Sequence, residues 1–340
     1  MILLISAARG PGHGAERILA CLLEAWPDAA ATFALLAPPD ASLFQVARRL
    51  GIAATPLQVR GSVAGNVAAV HDALAALPRC RVVHGWAALS FELAAAVAAR
   101  RNIPYTLTLH DHPRAGYLSV GRQGLLQLMA AGARAVVCVS EAVRTACRRS
   151  RYQGRLVVIR NGLPDTGVPG PRPWQGQIGF LGMEHAHKGF AIVREWSARL
   201  PPYVTFQIYG RTSVHAPSAD SGPWRYRGHL PPERIFAELD LVVHPSLIFD
   251  SLPTVLLEAA RAGVPAVASD LGGAGEIVEQ GVTGWLFPPD APAQGLAQLS
   301  ALIADEAGRL AMGAAARQRY LRAFTIERMI EDYRALWWEP

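Results

Sequence analysis

Leu241-Val242-Val243-His244-Pro245-Ser246-Leu247-Ile248-Phe249-Asp250-Ser251-Leu252-Pro253-Thr254-Val255-Leu256-Leu257-Glu258 reads as a buried strand, a loop and the start of a helix. The apolar run Leu241–His244 is the strand. A helix is expected from about Pro253, because proline suits the first helical position, with Ser251 as its N-cap. Gly263 followed by Pro265 ends it. The backbone N–H groups of residues 252–255 (Leu252, Pro253, Thr254 and Val255, proline lacking one) then surround an anion-binding helix start. Asp250 precedes this helix and Glu258 lies about two turns along it. Two acids with seven residues between them can therefore reach different parts of one extended ligand.

The same alternation extends outward. Gln177–Leu181, Thr205–Tyr209 and residues 266–268 read as further strands of the second half. Residues 1–6, 32–36, 81–84, 135–139 and Tyr105–Leu109 read as strands of the first, with a helix over 15–25. Between the halves, residues 163–175 (LPDTGVPGPRPWQ) hold four prolines and no periodicity, the mark of a linker. The expected fold is α/β: two Rossmann-like domains facing a cleft, 1–163 and 176–323, joined by 164–175. Residues 324–340 read as a helix that packs back on the first domain.

A chain of 340 residues suits two domains, and no apolar run reaches the roughly 18 residues of a spanning helix. The opening strand lacks a basic leader. Cys21, Cys80, Cys138 and Cys147 show no C-x-x-C spacing, so neither a zinc site nor a disulfide framework is expected, and a reduced, cytoplasmic setting is. Residues 1–151 carry 16 basic against 8 acidic side chains; the remainder carry 17 against 19. That surplus fits an anionic partner of the first half, such as a membrane surface or a phosphorylated acceptor, and equally a solvated arginine-rich face. Nucleic acid is not expected, since no aromatic-interleaved basic strand accompanies the arginines.

Lys188 is the only lysine among the 33 basic residues. It ends the loop Phe180-Leu181-Gly182-Met183-Glu184-His185-Ala186-His187-Lys188-Gly189, where a glycine-bearing turn can place an ammonium on a phosphate oxygen. His110 closes the strand Tyr105–Leu109 and is placed to hydrogen-bond a hydroxyl or carry a proton. The loop Gly10-Pro11-Gly12-His13-Gly14-Ala15 fits a relaxed dinucleotide fingerprint, but the acid expected at the end of the second strand is missing. Glycine-rich backbone approaching a ligand is what this loop supports. The chain contains no Asp-x-Asp, the usual anchor of a divalent ion on a nucleotide diphosphate. Charge on a departing diphosphate would then fall to Lys188, a helix start and nearby amides.

These residues resemble glycosyltransferase family 4 over nearly the whole chain. The resemblance is carried by His244-Pro245-Ser246 through Asp250 to Ala259, by Gly263-Val264-Pro265, Gly273-Ala274-Gly275-Glu276 and Gly284-Trp285-Leu286-Phe287. Gly14-Ala15-Glu16-Arg17, Thr108-Leu109-His110-Asp111, Val139-Ser140-Glu141 and Arg160-Asn161-Gly162 are its first-domain landmarks. It implies a GT-B architecture, a retaining transfer from a nucleotide-diphosphate sugar and no metal or other cofactor. It further implies that Asp250 contacts the donor sugar, Glu258 the ribose, and Lys188, Gly182, Ser251 and the Leu252–Val255 stretch the diphosphate. His110 would lie near the transferred sugar, and Gly12, His13 and Gly14 near phosphate and acceptor. Implied partners are a nucleotide-sugar donor and a saccharide or lipid-linked acceptor; separately, Arg144, Arg148, Arg149 and Arg151 on the expected helix 141–151 give a charged face that fits an anionic membrane surface. Two departures stand out: the first acid is aspartate where the family usually has glutamate, and Met183 stands where an arginine is common. Arg211 is a candidate substitute for that cation. The alternatives are a catalytically silent nucleotide-sugar-binding relative, favoured by Met183, a nicotinamide-dependent dehydrogenase resting on the Gly10 loop, and a sugar-nucleotide epimerase within the same fold.

Overall fold

A computed structural model describes the chain except residues 11–13, 61, 117, 168–171, 183–185, 211–222 and 340. The chain divides into two compact units, Met1–Pro164 with Ile326–Pro340, and Asp165–Thr325. Gly12, His13, Met183 and Arg211 lie outside the described residues.

The first unit is built on strands β1 (Ile2–Ser6), β2 (Phe33–Ala37), β3 (Ala53–Pro56), β4 (Val82–Trp86), β5 (Tyr105–Leu109), β6 (Ala135–Cys138) and β7 (Leu156–Val158). They pair in the order β3-β2-β1-β4-β5-β6-β7, and each of these pairings is parallel. Every residue of β1, β2 and β4 is buried, because helices cover both faces of a parallel sheet. That is why they stand out as apolar runs. The edge strands β3 and β7 are only partly covered. Helix Gly14–Ala25 turns Ile18, Leu19, Leu22 and Leu23 inward, a stripe at helical spacing.

The helix Ile326–Trp338 belongs to this unit and is fastened by a buried polar network. Trp337 Nε1 donates to His84 Nδ1 at 3.2 Å, and the Thr106 hydroxyl lies 2.7 Å from the same nitrogen. An indole nitrogen only donates, so Nδ1 is the acceptor and His84 Nε2 carries the proton toward Thr108 Oγ1, 2.9 Å away. Tyr333 Oη closes the chain at 2.8 Å from Thr108 Oγ1. Burial, with a smaller contribution from His110, draws His84 down to about 3, so the ring is neutral.

The second unit holds β8 (Gln177–Leu181), β9 (Thr205–Tyr209), β10 (Trp224–Gly228), β11 (Leu241–His244), β12 (Ala266–Ser269) and β13 (Gly284–Phe287). Their order is β10-β9-β8-β11-β12-β13, again parallel. Alternate residues point to opposite faces: Leu241 and Val243 join a cluster with Phe180, Trp196 and Phe206, while Val242 joins Tyr209, Phe236 and Ala259. The expected α/β fold of two parallel-sheet domains is what the chain adopts.

Candidate functional site

In the second unit the strand order reverses at β8, so the crevice outside the carboxyl ends of an open sheet falls between β8 and β11. The loop after β8 ends in Lys188 and the loop after β11 carries Asp250, so both candidates come to this point. The two loops are tied by backbone. Leu247 N donates to His187 O at 2.8 Å. Gly189, at φ 77, approaches so closely that an added Cβ would lie 1.8 Å from the Pro245 carbonyl oxygen. Only glycine combines that backbone with that contact.

Lys188 Nζ lies 3.0 Å from Asp250 Oδ2, with side chains 31% and 23% exposed. His244 Nε2 lies 3.5 Å from the same oxygen, within ion-pair reach but without hydrogen-bond geometry. Burial pushes the Asp250 carboxyl up, yet His244 and Lys188 outweigh it and hold the group well below the usual carboxylate range. The Asp250 backbone is held as well. Gly273 N donates to its carbonyl at 2.8 Å, and a Cβ on Gly272 (φ 65) would meet that oxygen at 2.0 Å.

The helix itself begins one residue later than the sequence suggests. It runs Thr254–Ala262, with Pro253 as N-cap residue and no side-chain cap. Ser251 therefore does not cap it; the Pro253 carbonyl instead receives Leu256 N and Leu257 N at 3.0 and 3.2 Å. The amides of Thr254 and Val255 have no carbonyl one turn back inside the helix, as at any helix start. Ser251, Leu252 and Pro253 are buried, and Thr254 and Val255 half-buried. Glu258 is 4% exposed, deeper in the helix than Asp250 is in its loop. Gly263 (φ 70) closes the helix as expected. Gly182 follows β8, donates its N–H to Tyr209 O at 2.9 Å, and receives Gly210 so closely that a Cβ there would sit 2.4 Å from its carbonyl oxygen.

In the first unit the order reverses at β1, so the loops after β1 and β4 flank its switch point. Gly14 opens the helix Gly14–Ala25, and Trp86 at the end of β4 donates from Nε1 to Ala15 O at 2.8 Å. The same indole lies 4.8 Å, ring to ring, from His110, the residue after β5. His110 Nε2 is buried with no hydrogen-bond partner among the described residues, and burial draws the ring down to about 3. A neutral imidazole at a strand end can accept or donate one hydrogen bond through that nitrogen. Ala87, after Trp86, has φ 69 and ψ 158, a conformation almost confined to glycine.

Reading the sequence missed His244, Trp86 and the Gly189 and Gly272 contacts as parts of these sites. The first carried a signal, a histidine ending an apolar strand; the glycine contacts carried none that local pattern reveals. Among the described residues no three His, Cys, Asp or Glu side chains cluster as a metal-ligand set.

The family model for Glycosyltransferase Family 4 matches residues 12–166, and that for Glycosyl transferases group 1 matches residues 175–305. Each unit of the chain thus matches a glycosyltransferase family. Glycogen synthase of Mycobacterium tuberculosis is 31% identical over 189 residues, 50% of this chain and 45% of that protein. The chain thus matches less than half the length of this relative. HepE of Anabaena, crystallised with UDP and glucose, superposes with a TM-score of 0.83 at 19% identity, covering 100% of this chain and 99% of that one. Sucrose-phosphate synthase of Thermosynechococcus elongatus gives a TM-score of 0.79 at 17% identity, covering 99% and 98%. At such identities the likeness is one of fold, and the fold is GT-B.

Proposed function

We propose that this chain is a retaining, metal-independent hexosyltransferase, moving a sugar from a nucleotide diphosphate to a saccharide or lipid-linked acceptor. The observation that carries the reading is the Lys188–Asp250 pair at the strand-order switch point, beside a helix start. Lys188 and the Thr254 and Val255 amides supply positive charge where the diphosphate leaves. Asp250, kept ionised, accepts hydrogen bonds from sugar hydroxyls, and Glu258 those of the ribose. His110, kept neutral, bonds a hydroxyl of the transferred sugar.

The acceptor oxygen bonds to the anomeric carbon on the face from which the phosphate departs, and the leaving phosphate oxygen takes the acceptor proton. No protein nucleophile is required. HepE has been crystallised with UDP-glucose, which makes that the first donor to try. Transfer or donor hydrolysis that survives EDTA and yields the α-anomer supports the reading. Activity strictly dependent on added divalent ion, or an inverted product, overturns it.

The acceptor side includes an arginine-bearing helix, Glu141–Arg149. Arg148, Arg149 and Arg151 are exposed, while Arg144 pairs with Glu141 at 2.6 Å. Peripheral contact with anionic lipid fits these charges, and among the described residues no helix is long and apolar enough to cross a membrane. Sedimentation with anionic vesicles at physiological salt tests it; absence of binding removes it.

A further inference from the structure

The second unit has a recess at the opposite ends of its strands from Lys188 and Asp250. Its volume is about 410 Å³ including the open mouth, and its lining includes Arg172, Asp240, Arg309, Phe236, Leu239 and Val264. Arg172 precedes β8, Asp240 immediately precedes β11, and Val264 precedes β12, which places the recess at the amino ends of the sheet.

Its charges do not balance. Asp240 is committed: Oδ2 accepts from Gln175 N and Gln177 N at 2.9 and 2.8 Å, and Oδ1 is in ion-pair contact with Arg172 Nε at 3.2 Å, without hydrogen-bond geometry. Arg172 also bonds the Glu238 carbonyl. Arg309 has no such counterpart among the described residues. It is 2% exposed, its Nη1 donates to Leu302 O at 3.0 Å, and its guanidinium lies 4.6 Å over the Trp174 ring. Its Nη2 is buried with no hydrogen-bond partner, and no carboxylate pairs with it among the described residues. The aromatic face and the carboxyl ends of helices Pro232–Phe236 and Thr254–Ala262, which border the recess, offer partial negative charge only. A buried guanidinium in apolar walls is costly without a full counter-charge, and its attraction for one is strengthened by the same walls.

We propose that this recess binds a small oxyanion, a phosphate or carboxylate group, held by Arg309 and Arg172 and separate from the donor site. The planar fork of arginine matches the geometry of either group. Asp240, with its charge spent on Arg172 and two amides, stands as a wall rather than as a competitor.

The test is calorimetric titration of the full chain with inorganic phosphate, in a Lys188→Gln background that disables the phosphate cation on the other edge. A parallel titration with acetate distinguishes a phosphate ligand from a carboxylate. One saturable site is expected. Ala237→Glu, an exposed rim position, should weaken it by about tenfold or more by placing a carboxylate at the mouth. Arg309→Met should abolish it. Unchanged affinity in the folded Ala237→Glu chain, or no saturable binding of either anion in the Lys188→Gln chain, overturns the proposal. Because Ala237 is exposed, that variant decides the matter even if Arg309→Met does not fold. Failure of transferase activity has no bearing on either result.

Discussion

Replacing Lys188 by glutamine separates the structural from the chemical value of the Lys188–Asp250 pair. Both side chains are partly exposed, 31% and 23%, and Asp250 keeps His244 nearby when the ammonium is gone. The loss of stability is therefore that of a solvent-screened ion pair, about 1 kcal/mol or less. For a unit of this size that lowers Tm by roughly 2–4 °C at most. In the proposed transfer the same ammonium meets diphosphate charge that grows as the bond breaks, and removing one such donor typically costs about 10²–10³ in kcat. Lys188→Gln should thus melt almost as the parent does while losing two to three orders of magnitude in transfer. Lys188→Arg should recover little, because a planar fork does not replace a compact ammonium in a loop held this closely. The assays are calorimetric melting and initial rates against UDP-glucose at saturating acceptor. Rates within about threefold of the parent, against the loss of two orders or more just argued, would refute the placement of the diphosphate at Lys188.

Three further outcomes are expected. Asp250 is held below its ordinary range, so it stabilises the fold above its unfolded pKa and that contribution is lost as pH falls through the acid range. The stability gap between parent and Asp250→Asn, measured by urea unfolding, should accordingly shrink from pH 7 toward pH 3; a gap constant with pH contradicts it. His84 and His110 are drawn down to about 3. The unfolded chain therefore binds more protons than the folded one between about pH 6.5 and that value, and stability should fall as pH drops through this window. His84→Gln should flatten that decline, as read from urea midpoints at pH 7.5 and pH 5. Gly272→Ala should destabilise by about 2 kcal/mol or more and depress transfer, since φ is positive and the methyl group meets the Asp250 carbonyl. Normal melting and rates in that variant would show the contact to be slack.

The central strands were legible because a strand buried on both faces is mostly apolar, and Tyr105–Leu109, Gln177–Leu181, Thr205–Tyr209 and Leu241–His244 have the predicted bounds. Ala53–Pro56, Leu156–Val158, Trp224–Gly228 and Gly284–Phe287 went unread as strands. All four lie at sheet edges, and a chain such as Trp-Arg-Tyr-Arg-Gly becomes a strand through the neighbour that pairs with it.

By itself the amino-acid sequence determined the fold class and the family resemblance and singled out the residues proposed to meet a diphosphate and a sugar, because these rest on periodicity and on motifs local in the chain. Tertiary structure alone decided that Lys188 and Asp250 bond each other, that His244 stands behind them, and that Gly189 and Gly272 hold their loops. It also decided that Arg309 has no carboxylate partner among the described residues. Those facts depend on distances between segments tens of residues apart, and packing sets such distances where no local pattern encodes them.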